Sequence, residues 1–414
     1  MEWQIKPLER EVRMNITEIE RAARRLRDIV HNIPVGESQT FSKMSGAELY
    51  MKYENQQKTG SFKVRGAYNK LACLIERGEK PDSVVTSSAG NHAQGVAFAA
   101  TSLGIRSKIV MPLSTPIAKI SATEGYGAQV VLDGECYDDA YQRAMRIAEE
   151  EKAIFIHGFD DPDVIAGQGT VGLEILKDIP VVDTVITAAG GGGLLAGVAC
   201  CIKEINPRIQ VIGVQAEGAD AVVQSFRTHE HKSTESVRTI ADGIAIKSPG
   251  VLTTSLINQY VDDMVTVTDE EIATAILLLI ERTKQVVEPA GAVSVAAAIG
   301  GKLNIEGKKA VCILSGGNID VSFIQKIVEK GLVNRGRQIK LKTTISDVPG
   351  SLERFARITG QCGANILSIT HDRLRQGLHL GEAELHAVCE VSGFDHGKHL
   401  LSALKKAGYV VEAE

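Results

Sequence analysis

The sequence lacks the features that mark several broad classes of protein. Its seven cysteines include no Cys-x-x-Cys pair, so neither a disulfide framework nor a zinc site is expected. Its longest apolar runs, such as residues 275–280, are far too short to cross a bilayer. Its net charge of −5 is without the basic excess that is typical of nucleic-acid-binding proteins. Residues 1–13 are polar and contain no apolar signal core, so we expect a cytoplasmic protein with no membrane or nucleic-acid partner.

Strands and helices alternate along most of the chain. Short apolar runs, for example at residues 83–86, 108–111 and 183–188, predict strands, and stretches of helical spacing separate them. This alternation is typical of open parallel sheets that are covered by helices. At 414 residues the chain is also too long for one ordinary domain. We therefore predict an α/β fold with more than one domain.

The pattern changes after residue 330. We interpret residues 331–338 as a linker between residues 1–330 and a separate C-terminal domain. Residues 339–414 follow the order strand, helix, strand, strand, helix, strand. That order is typical of the ferredoxin-like α+β arrangement.

A run of four glycines is the first motif that carries chemistry. Gly190, Gly191, Gly192 and Gly193 join a predicted strand to a helix that begins near Leu194. Backbone amides in such a loop approach an anion closely, and the helix dipole favours negative charge, so a phosphate group is the expected ligand. The loop also matches the Gly-x-Gly-x-x-Ala dinucleotide pattern, with Glu217 after the next strand. On this loop alone, NAD and a tight turn without ligand remain alternatives.

Lys63 supplies a reactive group. The segment 59–61 predicts a turn and cap, which would place Lys63 in the first turn of a helix. A lone lysine at such a position is usually a solvated surface residue. A buried lysine, by contrast, is easier to deprotonate and becomes a better nucleophile for forming an imine with an aldehyde. An imine-forming amine together with a phosphate loop suggests pyridoxal phosphate (PLP) as cofactor.

Two more loops follow predicted strands. In the segment 88–92, backbone amides and the Ser88 hydroxyl can bind a carboxylate, and Asn91 can hydrogen-bond a cofactor hydroxyl. We interpret His92 in the same segment as a structural residue rather than a base. Ser315 follows the predicted strand 310–314, at the end of the strand where α/β folds bind ligands, although an ordinary turn fits equally well.

These motifs, in this order, resemble the fold-type II PLP enzymes, and most closely the threonine dehydratases (threonine ammonia-lyases), over about residues 15–330. The resemblance implies a tryptophan synthase β-like architecture of two open α/β domains, with a small domain at about 85–160 inserted in the large one. It implies β-elimination from L-threonine or L-serine; a serine dehydratase or a racemase-like enzyme is the alternative. The expected cofactor-binding residues are Lys63, Asn91, Gly190, Gly191, Gly192, Gly193, Leu194 and Ser315, with Lys63 also catalytic. The expected substrate-binding residues are Ser88, Ala89, Gly90, Asn91 and His92.

Two further likenesses concern regulation and metal. Residues 347–352 and 363–366 are similar to ACT regulatory domains, which implies an amino-acid or nucleotide effector, although a domain without ligand is the alternative. The family resemblance also implies a homotetramer or homodimer. Related racemases bind a divalent cation, but the corresponding stretch 215–221 has Gln215 and Ala at the apparent ligand positions. We therefore expect no metal there.

Overall fold

The computed structural model describes residues 14–413, which form two compact units that divide between Ile319 and Asp320. Residues 1–13 lie outside the described residues. The expectation that they contain no signal core therefore stays a prediction. Among the described residues, no helix is both long and apolar enough to span a membrane.

The first unit alternates helices and strands, as the sequence predicts. Its helices are α1 (Ile16–Leu26), α2 (Gln39–Ser45), α3 (Lys63–Glu76), α4 (Asn91–Ser102), α5 (Ile117–Gly125), α6 (Tyr137–Glu151), α7 (Pro162–Asp178), α8 (Gly193–Ile205), α9 (Ala221–Thr228), α10 (Val251–Tyr260), α11 (Asp269–Leu278) and α12 (Pro289–Ile299). Its strands are β1 (Gly36–Glu37), β2 (Glu48–Lys52), β3 (Ser83–Ser87), β4 (Arg106–Met111), β5 (Gln129–Leu132), β6 (Ile154–Phe155), β7 (Thr184–Ala188), β8 (Gln210–Ala216), β9 (Asp263–Val267) and β10 (Lys309–Ile313).

These strands form two sheets. A six-stranded sheet has the order β1-β2-β10-β7-β8-β9, and every neighbouring pair except β1 and β2 is parallel. A four-stranded, all-parallel sheet has the order β5-β4-β3-β6. Its strands lie between residues 83 and 155, within or next to the range expected for the small domain. The expected class of open parallel α/β sheets is confirmed.

Helix α7 was not predicted from the sequence. Gly167, Gly169 and Gly172 lie inside it, and glycine weakens a helix in isolation. The structure explains them by close helix packing, since a Cβ added at Gly167 would lie 2.6 Å from the backbone oxygen of Arg65 in α3. On its other side α7 packs against α8, where a Cβ added at Gly197 would lie 2.4 Å from the Ile165 oxygen. Tertiary packing therefore overrides local propensity here.

The second unit begins with α13 (Val321–Asn334) and continues as β11 (Gln338–Ser346), α14 (Ser351–Gln361), β12 (Asn365–Asp372), β13 (Glu382–Glu390), α15 (Phe394–Lys406) and β14 (Val411–Ala413). The four strands form an antiparallel sheet of order β12-β13-β11-β14. Phe355 of α14 and Leu400 and Leu404 of α15 are fully buried in its core. The ferredoxin-like order of elements is the one predicted.

The predicted linker differs from the structure. Residues 331–334 are the last turn of α13, and only 335–337 separate that helix from β11. Apolar residues at 324, 327, 328 and 332 follow helical spacing and continue the helix across Gly331. The chain leaves the helix before Gly336, whose φ of 65° lies in the left-handed region that favours glycine.

Candidate active site

Three loops at the carboxyl ends of parallel strands carry the residues singled out by the sequence. Gly190–193 follow β7, Ser315 follows β10, and Ser88–Gly90 lead from β3 into α4. Lys63 is the first residue of α3 and is brought to the β10 loop by backbone hydrogen bonds. The Phe62 amide donates to the Ser315 oxygen (3.1 Å), and the Gly317 amide donates to the Gly60 oxygen (2.9 Å).

A buried ionic cluster fixes the start of α3. Arg65, two residues after Lys63, is fully buried and donates two hydrogen bonds of 2.8 Å to Glu54. It also donates to both carboxylate oxygens of Glu174 in α7, at 2.6 and 2.8 Å. Such paired, bidentate contacts hold a guanidinium in one position. The first turn of α3, and Lys63 with it, is therefore anchored to two other segments.

The Lys63 amine has a backbone partner. Its Nζ donates to the Gly158 carbonyl oxygen at 2.7 Å. Burial lowers the pKa of Lys63 from 10.5 to about 8, although the nearby Glu288 carboxyl acts in the opposite direction. A larger fraction of this lysine is therefore the neutral, nucleophilic amine near physiological pH than of an ordinary lysine.

The four glycines form a cup that has no room for side chains. A Cβ added at Gly191 would lie 2.4 Å from the Phe159 ring, and one at Gly193 would lie 3.0 Å from the Phe159 Cα. Gly192 has a φ of 96°, which strongly favours glycine. Helix α8 begins at Gly193, and the first amides of a helix have no partner within it. Leu194 packs its side chain into the hydrophobic core, so only its backbone amide is available to a ligand.

The cup is supported by the segment that follows β6. Asp160 accepts hydrogen bonds from the backbone amides of Val251 and Thr253, at 3.1 and 3.0 Å, and so holds the start of α10. The Thr253 hydroxyl then donates to the Gly191 oxygen at 2.6 Å. Phe159 and Asp160 were not recognised in the sequence, because no motif marks them.

Asn91 is the first residue of α4 and contacts two residues that no sequence motif marks. Its Nδ2 donates to Glu288 Oε1 at 2.7 Å, and its Oδ1 accepts from Asn318 Nδ2 at 2.7 Å. Glu288 immediately precedes α12 and Asn318 lies three residues after Ser315. A buried carboxyl beside an amine with a lowered pKa is a signal that only the folded structure provides.

The remaining residues of the 88–92 loop have distinct positions. Ser88, Ala89 and Gly90 are half-buried, and the Ser88 hydroxyl accepts from the Gly90 amide at 3.2 Å. His92 is buried, and its Nε2 lies 3.0 Å from the Ile156 oxygen, so that nitrogen carries the proton and donates. Burial and the Lys63 charge lower the pKa of His92 to about 3, which keeps the ring neutral. This geometry fits the structural role that we expected for His92.

Ser315 and Gln215 are both buried. The Ser315 hydroxyl has one long contact, 3.5 Å to the Ala290 oxygen, so most of its hydrogen-bonding capacity is available. Gln215, at the end of β8, uses its side-chain oxygen to accept from the Val223 amide at 2.8 Å. Among residues 14–413, no group of three or more His, Cys, Asp or Glu side chains could hold a metal ion.

These features fit PLP: an amine with a lowered pKa for an aldehyde, and a glycine cup at a helix start for a phosphate. Residues 26–316 match the family model described as "Pyridoxal-phosphate dependent enzyme". The chain belongs to this family. Its cofactor is PLP, and the dinucleotide alternative for the glycine loop is set aside.

The chain is similar to individual proteins of the same family. It is 47% identical to an L-threonine ammonia-lyase of Thermotoga maritima over 398 residues, which is 96% of this chain and 99% of the relative. It resembles the structure of maize serine racemase (TM-score 0.72, 36% identity, 77% of this chain and 98% of that one). It also resembles the processed form of threonine deaminase isoform 2 from Solanum lycopersicum (TM-score 0.72, 37% identity, 76% of this chain and 86% of that one).

Proposed function

We propose that this chain is an L-threonine ammonia-lyase, which converts L-threonine to 2-oxobutanoate and ammonia and L-serine to pyruvate and ammonia. The observation that carries the proposal is the similarity to the T. maritima enzyme, because it extends over nearly the whole of both chains and therefore includes the second unit. The Lys63 amine and the glycine cup supply the binding chemistry that such an enzyme needs.

The chain's own residues divide the work. When bound, PLP supplies an electron sink for the electron pair that is left after the proton on the substrate α carbon is removed. Lys63 is the proposed base for that proton, since its lowered pKa makes the neutral amine accessible. The glycine cup and the Leu194 amide would bind the phosphate of the cofactor, and the Ser315 hydroxyl would be a neutral partner for its ring nitrogen. The loop Ser88–His92 receives the substrate carboxylate.

A second candidate function is racemisation of serine, because the maize serine racemase is one of the similar structures. Racemisation needs a proton donor on the opposite face of the α carbon from Lys63. The family resemblance implies that racemases carry a serine at the position of Ala89, and the methyl group of Ala89 cannot transfer a proton. We therefore expect elimination to dominate.

The test is an assay of 2-oxo acid formation with L-threonine and L-serine, combined with chiral chromatography of the remaining amino acid. We expect ammonia and 2-oxo acid in equal amounts, with negligible D-serine. If serine is racemised at a rate comparable to its deamination, the proposed function is wrong and the racemase is the better assignment. If neither substrate yields a 2-oxo acid, the proposal fails.

We further propose that the second unit is an ACT-like regulatory domain with an amino-acid or nucleotide effector, and that the enzyme is a cytoplasmic homotetramer or homodimer acting in the first step toward isoleucine. The ferredoxin-like sheet of the second unit supports the assignment as a regulatory domain. The small domain at about 85–160 and the inserted arrangement are also proposed. Activity measured with and without isoleucine, valine and AMP tests regulation, and gel filtration tests the assembly. Unchanged kinetics with all three compounds would contradict the effector assignment.

A further inference from the structure

Glu288 is a buried acid that no sequence motif assigns to the reaction. It is 5% exposed and lies between the start of α12 and the loop after β10. Its backbone amide donates to the Gly316 oxygen at 3.1 Å, and a Cβ added at Gly316 would lie 2.2 Å from its Oε1. The carboxyl group therefore lies close to the Gly316 backbone, and its Oε1 accepts from Asn91.

Asn318 fixes the orientation of the Asn91 amide from the other side. Asn318 Nδ2 donates to the Thr59 oxygen and to Asn91 Oδ1, both at 2.7 Å. Because an amide nitrogen can only donate, the Asn91 oxygen must face Asn318 and its nitrogen must face Glu288. One N–H of Asn91 is used by Glu288, which leaves the second N–H for another acceptor.

Burial of the Glu288 carboxyl group favours its neutral form. Burial raises the pKa of Glu288 to about 8, helped by Asp242, while the Asn91 hydrogen bond and the charges of Lys119 and Lys63 act in the opposite direction. Below pH 8 the acid is mostly protonated, so it adds little negative charge beside Lys63. An ionised Glu288 would instead stabilise the Lys63 ammonium and make that amine a poorer nucleophile.

We propose that Glu288 is a positioning residue that acts through Asn91, holding the amide in the one orientation in which its second N–H can donate to the ring hydroxyl oxygen of the bound cofactor. A donor at that oxygen stabilises its deprotonated form, which changes the absorption spectrum of the cofactor. Glu288 acts as a neutral acceptor, so an amide of the same shape should replace it. The inference rests on the family's cofactor, and on the proposed function only where turnover of threonine is measured.

The experiment compares Glu288→Gln and Glu288→Ala in the full-length holoenzyme. The control is Glu271→Ala, which removes another glutamate acceptor in the same unit, the one that accepts from the Thr268 amide at 2.7 Å. Four properties are measured for each variant and for wild type. They are the pH dependence of the cofactor absorption without substrate, the cofactor dissociation constant, the melting temperature, and kcat and KM for threonine.

We expect Glu288→Gln and the control to keep the wild-type spectrum and a kcat within about threefold. Glu288→Ala should change the pH dependence of the spectrum and lower kcat by about ten- to a hundredfold, the scale of a misplaced active-site group, with a smaller change in KM. If Glu288→Ala does not fold, Asn318→Asp serves instead, because its carboxylate repels the Asn91 oxygen and should turn the amide around with the same spectral result.

Three outcomes would overturn the inference. These are an unchanged spectrum in Glu288→Ala or Asn318→Asp, the same spectral change in the Glu271→Ala control, and a Glu288→Gln protein as impaired as Glu288→Ala. The spectral measurements need no substrate. If they behave as expected while wild-type protein leaves threonine unchanged, the proposed function fails and the role of Glu288 stands.

Discussion

The two sides of the active site are built in different ways. On the glycine-cup side, the shape comes from the backbone: Gly190–193 carry no side chains, and Phe159 fills the space that side chains at Gly191 and Gly193 would need. On the Asn91 side, the shape comes from side chains, because Glu288 and Asn318 reach one amide from distant parts of the chain. A loop shaped by its backbone requires glycine at several successive positions of the sequence. A site shaped by side chains requires particular residues at positions that lie far apart in the sequence.

This difference determines what can be recognised without a structure. Four successive glycines are costly to order, so they stand out in a sequence. Glu288 and Asn318 are ordinary polar residues in their own segments, and only folding brings them to Asn91.

Substitution of Lys63 should give the largest effect. We expect Lys63→Ala to lose about a thousandfold or more in kcat, because it removes both the proposed covalent anchor and the proposed base. The measurement is the rate of 2-oxo acid formation by protein reconstituted with cofactor. The control Lys70→Ala, in the same helix, should stay within about threefold of wild type. Normal turnover by Lys63→Ala would contradict the proposed role of Lys63 and, with it, the proposed site.

A single added methyl group should disrupt the shape of the glycine cup. Gly191→Ala places a Cβ 2.4 Å from the Phe159 ring, so the loop must shift. We expect the dissociation constant for the cofactor to rise by about thirtyfold, roughly 2 kcal/mol of lost binding. Equilibrium binding followed by absorbance measures it. Gly125→Ala is the matched control, since a Cβ there meets nothing within 4 Å. Equal affinities in both variants would show that the cup is not tightly shaped.

A milder change on the same side separates shape from support. Thr253→Val keeps the volume but removes the hydroxyl that donates to the Gly191 oxygen. Loss of one hydrogen bond to a buried carbonyl costs about 1 kcal/mol, so we expect cofactor affinity to fall by about fivefold. Thr254→Val, which removes a hydroxyl bonded at 2.7 Å to the Gly250 oxygen, is the control. A loss of equal size in the control would place the effect in α10 rather than in the cup.

The smallest expected effect is the change with pH in the rate at which cofactor-free protein takes up the cofactor. Only the neutral Lys63 amine attacks an aldehyde, and its neutral fraction rises as pH increases through its lowered pKa of about 8. We therefore expect the rate of covalent loading of cofactor-free protein to rise with pH and to reach half its maximum near pH 8, as followed by stopped-flow absorbance. A midpoint near 10.5, the ordinary lysine value, would contradict the burial of the amine.

Much of the fold could be predicted from sequence, and the exceptions have physical causes. The strand–helix alternation and the ferredoxin-like order were predicted, because hydrophobic periodicity survives in each element. Helix α7 was missed because its three glycines serve contacts with α3 and α8, which no local pattern reveals. The linker predicted at 331–338 overlaps two elements, because α13 continues through Gly331 to Asn334 and β11 begins at Gln338.

The site divides in the same way. Lys63, the glycine cup, Asn91 and Ser315 lie at strand and helix ends, where the sequence marks them with turn residues. Glu288 was missed because a carboxyl group becomes distinctive only through its burial and neighbours. Phe159 was missed because its role is to fill the space beside two glycines.

The central claim is that the Lys63 nitrogen forms the covalent bond to the cofactor. Holoenzyme reduced with borohydride, digested and analysed by mass spectrometry tests it most directly. We predict one peptide that carries the reduced cofactor, with the added mass on Lys63. Added mass on a different lysine, or on none, would contradict the account.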